Sequence, residues 1–317
     1  MVAGRWPRAQ GGRRTRIVAA ALSSSVLRSV RKGRVGTQEG EATVDVQTAL
    51  YTVDQKQLRL NSARPLPAGT LRSLEEDFTL RYVHATTAIE GNTLTLSETQ
   101  VVLENGITVG GKTIREHLEV LNMRDALGWL RAVVHRAEVV TDRTILDMHR
   151  IIMAGILHEE AGFYRRQPVY IRGSAHEPPN WVKVPQLMEE LAKRLEPDAV
   201  PEHPLAFAAQ AQLELTRMHP FVDGNGRTAR LLTNLLLMRR GFPPAMYSDT
   251  DRAEYIDAIR AADAGSPSRF ILLTARGVEF TQDRYLFMLH QADEGDAHDA
   301  PGGGRGSAQP DRDRVGL

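Results

Sequence analysis

One short run concentrates groups suited to phosphate chemistry: His219-Pro220-Phe221-Val222-Asp223-Gly224-Asn225-Gly226-Arg227-Thr228-Ala229-Arg230. Gly224 and Gly226 lack a Cβ, so backbone amides there can approach a ligand closely, and they open a helix whose first amides and dipole favour an anion. Arg227 and Arg230 are three apart, on one side of that helix's first turn. Two guanidinium forks beside an amide nest describe a polyphosphate cradle, because they match phosphate oxygens and keep their charge. Asp223 can hold Mg²⁺, an ion that binds through one or two carboxylates plus substrate phosphates. His219 sits at the other rim, where an imidazole can take the proton from a hydroxyl that attacks phosphorus.

The run matches HPFx[D/E]GNGRxxR without a mismatch, and on it the chain resembles the Fic (Fic/Doc) family from about Leu71 to Leu289. The resemblance implies an all-α fold, a Fic-type helical bundle with a small β-hairpin flap. It also implies a nucleotidyltransferase: a protein adenylyltransferase moving AMP from ATP to Ser, Thr or Tyr hydroxyls of a target protein. Carried over by position, His219 is the base and Asp223 the Mg²⁺ ligand. Gly224, Asn225, Gly226 and Arg227 form the α- and β-phosphate anion hole, with Thr228 and Ala229 bordering it, and Arg230 is the γ-phosphate ligand. Phe221 is expected as a core anchor. Toxins of the related branch that moves phosphate carry Lys in place of Gly226, so this sequence argues against that chemistry.

Thr86-Thr87-Ala88-Ile89-Glu90-Gly91-Asn92 is similar to the family's inhibitory [S/T]xxxE[G/N] motif, placed N-terminal to the core. The wider run resembles the animal endoplasmic-reticulum members. A glutamate ending a helix can pair with a phosphate-binding arginine, so Glu90 on Arg230 would take the γ-phosphate's place and autoinhibit transfer. Residues 169–174 resemble the flap, which holds a target segment by strand addition, with Ile171, Arg172, Gly173 and Ser174 bordering the nucleotide. Tyr255 matches the first tyrosine of a nucleotide-contacting pair, while Ile256 replaces the second and Asp263 stands where the closest relatives have Asn. Arg165, at another recurrent family position, is expected in a structural salt bridge. Self-modification and a homodimer are also consistent with the family. Two other readings stay open: a de-AMPylating phosphodiesterase in which Glu90 aligns a water, and a non-catalytic nucleotide-binding interaction module.

Helices must position these groups. Apolar residues recur at helical spacing over Leu71–Ile89, Leu96–Leu103, Thr113–His135, Asp142–Met153, Val184–Leu195, Leu205–Met218, Asn225–Arg240, Arg252–Ala262 and Phe270–Leu289, the last with a break near Gly277. Gln167–Ile171 alternates and precedes Gly173 and Ser174, which reads as a small hairpin. The expected organisation is a basic disordered extension over 1–45, an irregular or short-strand lead-in over 46–68, an inhibitory helix and connection over 69–112, a catalytic domain over 113–291 and a disordered tail over 292–317.

With 317 residues, 42% of them hydrophobic, a sizeable core is affordable. The 40 basic and 39 acidic residues leave a net charge of +1, no whole-chain case for a nucleic-acid partner. Absence of cysteine excludes disulfides and thiolate chemistry. No stretch reaches the apolar length of a membrane span. The run Ile17–Leu27 behind Arg13 and Arg14 superficially suggests a signal peptide, but Arg28, Arg31, Lys32 and Arg34 follow where a cleavage site belongs. An idle basic arm and a cytoplasmic protein are therefore expected. None of the other histidines, His149 among them, falls in a metal-ligand pattern.

Overall fold

Thr95, Thr113 and Thr141 each start a helix by accepting a hydrogen bond from the third helical amide, while the side chain at that position returns to the threonine's own N–H. Such capping boxes satisfy amides that a first turn leaves open, and they set where the helices of this all-α fold begin. The computed structural model describes residues 38–298 apart from 65, 67, 172, 173, 175, 196–202 and 251. The α-helices are α1 (Gln38–Ser62), α2 (Ala68–Ala88), α3 (Leu96–Asn105), α4 (Ile114–His135), α5 (Asp142–Ile152), α6 (Val184–Arg194), α7 (Pro204–Met218), α8 (Asn225–Arg239), α9 (Arg252–Asp263) and α10 (Ser268–His298), with a 3₁₀ turn at Trp181–Lys183. No strand occurs among the described residues.

The bundle is organised around α8, buried along almost its whole length from Asn225 to Met238. A helix apolar on every side must be wrapped by others. Here α7, α5, α4 and α2 pack around it, and one continuous core runs from Val83 through Met123, Met148 and Leu215 to Leu235. This burial fixes the opening turn of α8 against α2 and α4, which carry the charged groups discussed below.

Three expectations change. The lead-in over 46–68 is largely helical: α1 buries Val46, Leu50, Val53 and Leu60 against the bundle and lies along α10, where Lys56 pairs with Glu279 at 3.0 Å and Asp283 at 2.8 Å. Helix also extends back to Gln38 and forward to His298, so neither tail begins where composition placed it; residues 1–37 and 299–317 lie outside the described residues. Second, α10 runs unbroken through Gly277. A Cβ there would come within 2.6 Å of the Met246 carbonyl, so the glycine serves a close approach by the 242–248 segment, whose Met246 N–H donates to Gly277 O at 3.1 Å. Third, the described part of 167–180 is irregular and not a hairpin. Ser174 N–H donates to Ile171 O at 3.1 Å, while Pro168, Pro178 and Pro179 lack the amide a ladder needs, and among the described residues no strand pairs with the segment. Arg172 and Gly173 lie outside the described residues.

Candidate active site

Helix α7 stops at Met218 because Pro220 disfavours helical backbone at the preceding residue. His219 takes a left-handed cap, φ 45° and ψ 58°, with its N–H on Leu215 O at 3.0 Å. Phe221 then plunges into the core and stacks on His149, ring centroids 3.7 Å apart and planes within 5°. Gly224 turns the chain at φ 77° and caps α8 without a side-chain hydrogen bond, leaving the first amides of α8 to an anion.

Asn225 does not aim its amide at that nest. It grips Phe221, donating to the Phe221 carbonyl and accepting from its N–H, both at 2.9 Å. Thr228 spends its hydroxyl on Gly224 O at 2.9 Å, and Ala229 is in the apolar core. These three side chains therefore shape the loop, and only backbone and arginines face the nest.

Glu90 fills it. The turn after α2 ends at Gly91, φ 103°, and aims the Glu90 carboxylate at Arg230, whose Nη2 donates to Oε1 at 2.7 Å. A Cβ added to Gly226 would overlap that same oxygen and come within 3.2 Å of Arg230 Nη1, so the carboxylate lies directly over the nest. Arg230 is fully buried and otherwise held from beneath. Its Nε donates to Thr86 Oγ1 at 2.7 Å, Nη2 to Thr86 O at 2.9 Å and Nη1 to Tyr255 OH at 3.3 Å, with the guanidinium 5.5 Å from the Tyr255 ring centre. Burial alone would lower the Arg230 pKa, but Tyr255, Glu90 and Tyr82 together push it up, so the cation is permanent. Tyr255 is itself buried under Arg230 and accepts from Gln212 at 2.8 Å, so its hydroxyl is shared between the arginine and Gln212. Ile256 is half-buried against the core, and Asp263 pairs with Arg217 at 2.8 Å.

Arg227 is equally buried. It lies 3.3 Å from Glu119 and donates weakly to Asp223 at 3.4 Å, while its Nε and Nη1 make no hydrogen bond. A buried guanidinium that its carboxylates hold only loosely, Nη1 lying 3.3 Å from Glu119 outside hydrogen-bond geometry, fits a phosphate ligand. Asp223 accepts from Gly224 N–H at 2.6 Å and pairs with Arg115 of α4. Burial works against its charge, but Arg227 and Arg115 outweigh it and hold the carboxyl below the usual range. Among the described residues no three His, Asp or Glu side chains cluster as a metal cage. A cation at Asp223 would take one carboxylate from the loop and its other ligands from phosphates and water; Mg²⁺ ordinarily uses that donor set, so the residues fit it.

The His219 ring is largely shielded, and burial pushes its pKa down to about 4 despite the favourable Thr216 carbonyl; Arg165 adds to the depression. Nδ1 has no hydrogen-bond partner of good geometry. The imidazole is thus neutral at pH 7. Among the described residues Arg165 makes no salt bridge, contrary to expectation. It is 3% exposed and clamps three carbonyls: His219 at 2.9 Å, Gln167 at 3.1 Å and Pro179 at 2.6 Å. Ile171 and Ser174 are half-buried, and Tyr170 between them and the clamp is 92% exposed.

Several contributors were not legible as site residues. Thr86 is the first position of the inhibitory motif, yet its grip on Arg230 had no separate signal. Glu119, Arg115 and Gln212 lie on other helices and reach the site only through folding. Arg252 donates to Ile89 O at 2.7 Å and so holds the turn that carries Glu90. His149 accepts from Gly162 N–H at 2.9 Å and therefore donates through Nε2 to the Asp223 carbonyl at 3.0 Å, fixing one tautomer.

Comparison with known proteins agrees with this geometry. The model of the Fic/DOC family matches residues 139–237. Protein adenylyltransferase Fic of Nematostella vectensis is 38% identical over 249 residues, covering 76% of this chain and 56% of that protein. The protein of the same name from Drosophila erecta is 35% identical over 242 residues, covering 76% and 48%. The chain spans about half the length of these curated relatives. Among solved structures, C. elegans Fic-1 superposes with a TM-score of 0.74 at 31% identity, covering 86% of this chain and 80% of that one. A Fic domain containing signaling protein from Bacteroides thetaiotaomicron gives 0.65 at 25% identity, covering 80% and 98%. By its motif run, its helical bundle and its similarity to Fic-1 over most of both chains, this chain belongs to the Fic family.

Proposed function

We propose that the protein transfers AMP from ATP to a Ser, Thr or Tyr hydroxyl of a target protein or of the chain itself, and that Glu90 restrains this activity. The observation that carries the reading is the Glu90 carboxylate seated over Gly226 and on Arg230: an anion already occupies the mouth of α8, beside a neutral imidazole. With Glu90 withdrawn, the α8 amides and Arg227 receive the inner phosphates and Arg230 the terminal one. The target hydroxyl, offered along 169–174, gives its proton to His219 as its oxygen bonds to the first phosphorus, and the bond to the departing pyrophosphate breaks. Mg²⁺ at Asp223, when bound, neutralises phosphate charge. The proton passes to a ring that stays neutral above about pH 4, so the base is ready across the physiological range.

A second reading draws on the exposure of Glu90, whose side chain is 33% accessible and so borders solvent. A carboxylate in that position can orient a water toward the phosphorus of an AMP-modified side chain, so that the P–O bond to the side chain breaks and AMP and the free hydroxyl are released. Wild-type protein, Glu90→Gly and His219→Ala, each incubated with labelled ATP and lysate, separate the cases. Label gained only without Glu90 and only with His219 supports transfer. Glu90-dependent loss of label from pre-modified protein assigns hydrolysis. Nucleotide binding with neither outcome leaves an interaction module.

A further inference from the structure

Asp223 carries a partner that the phosphate chemistry does not require. Arg115, in the first turn of α4, places Nη2 on Asp223 Oδ2 while its Nε donates to Glu119 Oε1 at 3.1 Å. Asp223 Oδ1 already accepts from Gly224 N–H and faces Arg227, so Oδ2 is the oxygen left for a cation, and Arg115 occupies it. The Arg115 side chain is 52% exposed, which leaves it free to swing into solvent, unlike the buried Arg227 and Arg230. Glu119 further ties this pair to the inhibitory turn: its Oε2 accepts from Asn92 Nδ2 at 3.0 Å, two residues beyond Glu90.

The geometry points to Arg115 as the residue that sets this protein's divalent-cation requirement. Its guanidinium competes with the metal for the Asp223 carboxylate, so the nucleotide loads with metal only when cation concentration is high enough to displace it. Glu90 restrains the terminal-phosphate position and Arg115 the metal position, joined through Glu119 and Asn92. This rests on the proposed ATP site. One half-exposed ion pair changes an equilibrium by about two- to fivefold, which sets the scale of the effect.

The test is calorimetric titration of ATP at graded Mg²⁺ concentrations in the Glu90→Gly, His219→Ala background, which cannot turn over, with Arg, Lys, Gln or Glu at position 115. Disappearance of the free Mn²⁺ electron paramagnetic resonance signal in the presence of ATP is the second readout. Arg115→Gln lowers the half-saturating metal concentration about two- to fivefold, Arg115→Glu lowers it further by adding a carboxylate, and Arg115→Lys stays near the parent. ATP binding in EDTA changes less than twofold in Arg115→Gln. The same metal requirement in all four proteins overturns the inference, as does Arg115→Gln weakening ATP equally with and without metal, which makes Arg115 a phosphate ligand. If the background protein binds no ATP at any metal concentration, the proposed function itself fails.

Discussion

Removing the Glu90 carboxylate tests the site most directly. At 2.7 Å and an effective dielectric near 20, two unit charges attract by about 6 kcal/mol. Desolvation of Arg230 and the partial exposure of Glu90 bring the net well below that. Exposed pairs contribute up to about 1 kcal/mol, and breaking a buried one costs about 3–5 kcal/mol. A third-exposed acid on a fully buried base falls between them, at about 2–3 kcal/mol. Thr86 and Tyr255 still hold Arg230 after the change, so the arginine stays in place to receive a phosphate. Glu90→Gly should therefore tighten ATP by about 30- to 150-fold and raise labelling at subsaturating ATP by a similar factor. AMP, which lacks the terminal phosphate, should gain little. Calorimetry of the two nucleotides side by side gives the ratio. Equal gains for ATP and AMP, or a gain for ATP under threefold, would refute the assignment of Arg230 to the terminal phosphate and of Glu90 as its competitor.

Three further outcomes are expected. The acid limb of the labelling rate in Glu90→Gly should fall near pH 4, where the buried His219 ring protonates, and not near the ordinary 6.5; a limb near 6.5 contradicts the shielded imidazole. His149, fully buried and held neutral with a pKa of about 4, binds a proton in the unfolded chain at a higher pH than in the folded one. Stability should rise by about 3 kcal/mol as pH increases from 4 to 6.5 and flatten above, and denaturant melts of wild type against His149→Gln should isolate that slope. Gly226→Ala should displace Glu90 yet fill the nest with its methyl, so ATP affinity drops at least tenfold by calorimetry even in the Glu90→Gly background, a scale set by one lost phosphate contact of about 1.5 kcal/mol or more.

How much of this could be read beforehand depended on whether the information was local. The phosphate loop was legible because its glycines, arginines and histidine stand within twelve residues, and their spacing along a helix start already fixes a geometry. Glu90 was legible through its own short motif. Arg115 and Glu119 were not, since nothing in sequence marks residues that meet Asp223 and Arg227 respectively from more than a hundred positions away. Helix α1 escaped because its apolar residues are sparse among Gln, Asp and Thr, and it is held in place by α10 through contacts such as Gln282 Nε2 to Val53 O at 3.0 Å. Residues 167–171 have the alternation of a strand, but among the described residues they join no ladder, and alternation alone does not supply one. Gly277 looked like a break because a glycine in a helix is costly, and only the Met246 carbonyl against it explains its presence.

Arg165 ties the 167–179 strip to His219 entirely through carbonyl oxygens, which every amino acid supplies. The strip between Gln167 and Pro179 is thus anchored at both ends to the partner of the His219 carbonyl, and among its described side chains His176 adds a hydrogen bond to the Arg217 carbonyl at 3.0 Å. Tyr170, almost wholly exposed on that strip, can change its side chain without touching the Arg165 clamp. If the proposed transfer holds, target choice at Tyr170 and proton transfer at His219 are separable, since the clamp between them uses main-chain oxygens.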